Sequence, residues 1–118
     1  MARHNETGKL GEDLATHYFL DRGYIVVEKN WRSGHKEVDI IAHKNGILHF
    51  IEVKCRRTNR FGNPEENVSS KKIKLLIDAA ADYLYANPQW QKVQFDVIAI
   101  NLQKDNTVDY FLIEDVYL

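Results

Sequence analysis

The dipeptide Asn45-Gly46 sits between two apolar runs, "EVDIIAHK" and "ILHFIEVKCR", and constrains the fold more than any other feature of the chain. A two-residue hairpin loop of type I′ needs positive φ at both central residues, and Asn-Gly meets that need with little strain. With this pair as the loop, Lys44 lies opposite Ile47, Asp39 opposite Glu52, and Glu37 opposite Lys54. Side chains alternate along strands, so Glu37, Asp39, Ile41, Leu48, Phe50, Glu52 and Lys54 are expected on one face. Two carboxylates facing each other repel. A bound cation reverses the sign.

Asp39, Glu52 and Lys54 therefore form one candidate unit. Two carboxylates with the Val53 main-chain carbonyl between the second acid and the lysine suit a hard cation, Mg²⁺ or Mn²⁺, which keeps waters for exchange with substrate. Such an ion polarises a phosphodiester and lowers the pKa of a bound water. Lys54 would steer the attacking water or neutralise charge on the phosphate as it develops. The competing reading is an exposed hairpin face with a Glu37–Lys54 cross-strand pair, worth about 0–1 kcal/mol. Against it stand Ile41, Leu48 and Phe50 on the same face. A surface apolar at the turn and charged at the far end suggests a sheet opening into a cleft.

The remaining elements follow from periodicity and punctuation. Gly8–Arg22 reads as a helix, with Leu10, Leu14, Ala15, Tyr18 and Phe19 at helical spacing and Gly23 as its stop. Gly8 and Gly11 fall within its apolar face, so this helix can approach the sheet closely. Glu12, at the margin of that face, is either a surface acid or leans toward Asp39 and Glu52. Tyr24–Trp31 reads as a strand and Arg56–Asn67 as a loop broken by Gly62 and Pro64. A second helix starts at a Ser69 or Ser70 cap and runs to about Ala86, with Ile73, Leu76, Ile77, Ala80 and Leu84 as its stripe. Val93–Ile100 and Thr107–Ile113 supply two further strands. The order α-β-β-β-α-β-β predicts an α/β fold, a mixed sheet flanked by helices.

Residues 1–118 make one domain, long enough for a core without disulfides. The lone Cys55 and the absence of zinc-type spacing fit a reducing cytoplasm. No apolar run is as long as a membrane span, and the first residues lack a secretory apolar core, so no membrane association is expected. Net charge is only −1, but it is unevenly spread. Residues 54–74 carry seven basic and two acidic side chains, while residues 75–118 carry two basic and seven acidic ones. Arg56, Arg57, Arg60, Lys71 and Lys72 in the basic block are candidates for gripping a polyanion backbone; a solvated loop and helix start explains the same count. The histidines show no ligand spacing, and His43 and His49, flanking the turn, read as surface residues. Trp31 and Phe61 read as packing residues that are also suited to base stacking. No P-loop, dinucleotide or G-x-S-x-G fingerprint is present.

"EVD" followed by "FIEVKCR" resembles the D…(D/E)-x-K signature of the restriction-endonuclease-like nuclease superfamily. The wider arrangement resembles the YraN-like family of uncharacterised bacterial proteins, whose fold is similar to archaeal Holliday-junction resolvases. The likeness includes Gly8, Gly11 and Glu12, Gly23-Tyr24, Asn30-Trp31-Arg32, Glu37 and Asp39, and Glu52–Lys54 with Arg56. It continues through Phe61-Gly62, Lys72, Ala79-Ala80 and Tyr83-Leu84 to "FDVIAI". The resemblance implies a restriction-endonuclease-like sheet with Asp39 and Glu52 as metal ligands and Lys54 as the catalytic lysine. It also implies Glu12 as a helix-borne acid joining the site and Lys72 as a substrate contact, with DNA ahead of RNA as partner. The superfamily's proline before the aspartate is replaced by Val38, and the basic residue before "FD" by Gln94. Branched DNA would favour a homodimer, because a four-way junction needs two symmetric cuts. The rival expectations are a non-catalytic nucleic-acid-binding module and a scaffold or assembly domain.

Overall fold

The computed structural model describes residues 6–57 and 70–116. Its elements are α1 (Glu6–Asp21), β1 (Ile25–Ser33), β2 (Lys36–Lys44), β3 (Ile47–Arg57), α2 (Ser70–Ala86), β4 (Val93–Leu102) and β5 (Val108–Ile113). The predicted order is observed. The strands form one mixed sheet in the order β1-β2-β3-β4-β5, in which β3 and β4 are parallel and the other neighbours antiparallel. Parallel neighbours need a long crossover, and α2 lies within the one that joins β3 to β4.

Local signals behave as their chemistry requires. Asn45 and Gly46 have φ of 55° and 82°, the type I′ pair, and β2–β3 partners run from Lys44–Ile47 to Ile40–Ile51 in the predicted register, but the pairing ends there and the expected Asp39–Glu52 and Glu37–Lys54 pairs are not formed. Gly23 (φ 89°) ends α1: its N–H reaches Leu20 O, and Tyr24 N–H reaches Phe19 O, a Schellman arrangement. A Cβ on Gly11 would collide with Cys55, its Sγ only 2.9 Å away, so the expected close approach of α1 to the sheet is real.

The helices cover opposite faces. Ala15 and Phe19 of α1 pack with Ile40, Ala42, Ile51, Ile98 and Ile100. Leu76, Ala79, Ala80 and Tyr83 of α2 pack with Val38, Ile41, Leu48 and Phe50. Tyr83 takes the deep position expected of Leu84, because its ring meets Trp31 and Phe50 edge-on at 5.3 and 5.9 Å.

Three expectations need correction. Arg56 and Arg57 belong to β3 rather than to a loop, because parallel pairing with Asn101 and Leu102 carries the strand onward. The rest of that loop, with Arg60, Phe61 and Gly62, lies outside the described residues. His49 is buried, not at the surface, and its Nδ1 lies 2.8 Å from the fully buried Asp96 Oδ2. Gln94 Nε2 and Asp115 N–H also donate to Asp96 Oδ1, at 3.0 and 2.9 Å, which completes the partners of that carboxylate. Finally, alternation slips at Asp39. Val38 packs on the α2 side with Ile41, yet Ile40, two residues on, packs on the α1 side. The matching irregularity on β1 is Asn30, at φ 54° between the pairs Lys29–Ile40 and Trp31–Val38.

Candidate functional site

Because the side-chain alternation slips at Asp39, its carboxylate is turned toward β3. Asp39 Oδ2 accepts the Val53 N–H at 2.7 Å, a bond that a β2 carbonyl would make in a regular ladder. The N–H and C=O of a residue leave an antiparallel strand on the same side. The Val53 carbonyl therefore also faces the opening between β2 and β3. β3 meanwhile stays paired with β4 through Arg57–Leu102.

Two clefts meet at this opening. One, of about 470 Å³, lies toward α1 and is lined by Glu12, Glu37, Asp39, Val53, Lys54 and Arg56, among others. The other, of about 320 Å³, lies toward α2 and includes Asp39, Glu52, Lys54 and Lys72. Asp39 and Lys54 line both. The four residues expected to carry chemistry are thus brought to one place, Glu12 from the α1 side and Glu52 from the α2 side. Among the described residues, no three His, Cys, Asp or Glu side chains are grouped closely enough to hold a metal ion by themselves.

The electrostatics are those of crowded acids. Burial, then the charge of Glu52, push the Asp39 carboxyl up to about 7 from 3.8; Glu37 and Glu12 add to this, and the Val53 N–H opposes it. Burial pushes the Lys54 ammonium below the ordinary lysine range, and the neighbouring Lys72 amine adds to that. Burial acts the same way on Lys72, but the Lys54 contact and the Glu52 carboxylate outweigh it and hold Lys72 protonated. Lys72 Nζ sits 3.1 Å from Glu52 Oε2. Lys54 therefore faces a second amine from α2, and Glu37 pairs across β1 with Arg32 at 3.5 Å.

The basic candidates separate. Lys54, Arg56 and Lys72 line the clefts, and Arg56 Nε donates to Asn101 Oδ1 at 3.2 Å. Arg57 turns to Thr7 at the start of α1, with Nε–Oγ1 at 3.2 Å. Lys71 lines a separate shallow pocket with Lys74 and Asp78. The sequence reading missed two contributors. Glu37 borders both clefts, and its place two residues before Asp39 was the available signal. Asn30 donates through Nδ2 to Glu12 Oε1 at 3.1 Å, and its place in the Asn30-Trp31-Arg32 segment of the resemblance was the available signal.

No helix among the described residues is long and apolar enough to cross a membrane. A family model described as uncharacterised protein family UPF0102 matches residues 11–100. A UPF0102 protein of Flavobacterium psychrophilum is 39% identical over 118 residues, covering 99% of this chain and 98% of its own length. UPF0102 proteins of Phocaeicola vulgatus and Flavobacterium johnsoniae are each 45% identical, covering 85% and 86% of this chain and 83% and 85% of their own lengths. With the family model spanning most of the sheet and both helices, and relatives of this likeness along nearly its whole length, the chain belongs to the UPF0102 family.

Proposed function

We propose that this protein is a metal-dependent endonuclease that hydrolyses phosphodiester bonds, with DNA, branched DNA included, as its substrate class. One observation carries the reading. The Asp39 carboxylate is seated in the opening between β2 and β3, hydrogen-bonded to Val53 N–H, with Glu52 and Lys54 on either side of that residue. Burial, and then the charge of Glu52, hold Asp39 at a pKa of about 7, a cost that a divalent cation offsets. The donor set of Asp39, Glu52 and the Val53 carbonyl, completed by water, fits Mg²⁺ or Mn²⁺, which take few protein ligands. When bound, such an ion supplies Lewis acidity toward the phosphate and a more acidic water.

The chain's own residues account for the remaining roles. Lys54, half-buried and with its ammonium pKa depressed, is placed to orient the nucleophilic water or to meet charge on the phosphate. Arg56 and Lys72 at the cleft walls contact backbone phosphates, giving binding that weakens steeply with salt. Glu12 faces the same opening from α1.

The test is cleavage of a panel of plain, flapped and four-way-junction DNA with Mg²⁺, Mn²⁺ or chelator. Cutting should require the ion and vanish in Asp39→Ala while DNA binding persists. Undiminished cutting by that variant would sink the assignment. A second reading, a binding module without catalysis, is favoured by the Lys72–Glu52 ion pair, which already neutralises one of the two acids. It requires salt-sensitive DNA binding that ignores the chelator and shows no cleavage of any substrate.

A further inference from the structure

We propose that Asn30 is the positioning residue that builds the site on its β1 side, holding Glu12 at the opening that Asp39 occupies. The inference rests on the proposed metal site and names a residue outside its ligands. Within β1, Asn30 alone among the described residues has positive φ, at 54°. A side chain with a Cβ rarely adopts that conformation in mid-strand, and asparagine tolerates it better than most. Lys29–Ile40 and Trp31–Val38 are paired on either side, so Asn30 lies at the level of Asp39 on the neighbouring strand.

The consequence appears on both strands. Lys29 reaches Asp13 of α1 at 3.8 Å and its partner Ile40 packs with α1, whereas Trp31 and its partner Val38 pack with α2. A regular strand would put residues two apart on one face. The left-handed turn at Asn30 and the slip at Asp39 coincide, and the slip is what directs the Asp39 carboxylate to Val53 N–H. The Asn30 side chain then does a second job. Its Nδ2 donates to Glu12 Oε1 at 3.1 Å, fixing a carboxylate that lines the same cleft as Asp39. One residue thus sets the direction of one acid through its backbone and of another through its amide.

Asn30→Gly separates these effects, because glycine accepts the left-handed backbone but has no amide. The measurement is calorimetric titration of the whole protein with Mn²⁺ alone at pH 7.5 for wild type, Asn30→Gly, Glu12→Ala and the double variant, with a thermal melt of each. Asn30→Gly should melt close to wild type yet bind Mn²⁺ about tenfold more weakly, the lower end of what an outer partner contributes. In the double variant, Asn30→Gly should add no further loss to that of Glu12→Ala, since its effect passes through that carboxylate. Equal affinity of Asn30→Gly and wild type, or losses that add in the double variant, overturns the proposal. Wild type that binds no Mn²⁺ would instead remove the metal site itself, a separate failure. Should Asn30→Gly not fold, Asn30→Ser, whose shorter side chain gives up the amide without adding charge, enters the same cycle with the same criteria.

Discussion

Replacing Asp39 by Asn should make the metal-free protein more stable while abolishing ion binding. The variant keeps an oxygen for the Val53 N–H, which is 2.7 Å from the native Oδ2, but removes one charge from the company of Glu52, Glu37 and Glu12. Burial, then those neighbours with Glu52 foremost, push the native carboxyl up to about 7 from 3.8. Its folded pKa is raised, so it contributes fully below pH 4 and that contribution is lost as pH rises through 7. The difference corresponds to a ceiling of about 4 kcal/mol. Both clefts admit solvent to Asp39, and screening reduces the working figure to about 2 kcal/mol. For a domain of this size, that is a rise in Tm of about 8 °C. Melts of both proteins in chelator from pH 4 to 8 should show curves that coincide at the acid end and separate as pH rises, with the variant higher. Magnesium at about a hundred times its Kd should then stabilise wild type by about 2.7 kcal/mol and leave the variant unmoved, reversing the order. A variant that melts below wild type at pH 8 in chelator, or parallel pH profiles, would refute the electrostatic reasoning.

Three further perturbations probe other parts of the molecule. Gly11→Ala drives a methyl into Cys55, against its Cβ first and its Sγ second, and should lower stability by about 2 kcal/mol, part of it returned by a second change, Cys55→Gly, which removes both atoms; chemical denaturation measures both. Asp96→Ala strands the buried His49 together with the Asp115 N–H and Gln94 amide that Asp96 binds, and should cost about 3 kcal/mol in the same assay. Lys72→Ala breaks the ion pair of a half-exposed lysine with the mostly covered Glu52 and should cost about 1 kcal/mol of stability. The same variant should flatten the log–log salt dependence of DNA binding by about one charge, and an unchanged slope would remove Lys72 from the interface.

The hairpin shows how far local chemistry reaches. Asn45-Gly46 is a four-atom-scale decision about φ, and from it the pairing of Ile41 with Phe50 and of His43 with Leu48 follows without knowledge of the rest. Helix α1 was equally legible, since Gly23 and the spacing of Ala15 and Phe19 act within a few residues. His49 was not. Its burial depends on Asp96, and no local pattern announces a carboxylate that waits on another strand.

The order of elements, the turn register and the clustering of Asp39, Glu52 and Lys54 near one end of a hairpin were determined by sequence alone, because each depends on neighbours a few positions apart or directly across a tight turn. The opening between β2 and β3, the slip that aims Asp39 into it, the arrival of Glu12 with Asn30 as its hydrogen-bond donor, and the seating of Lys72 on Glu52 were decided only by the tertiary structure. Those features join α1, β1, β3 and α2, and the free energy of such contacts depends on how four elements pack against one another rather than on any segment's own preference.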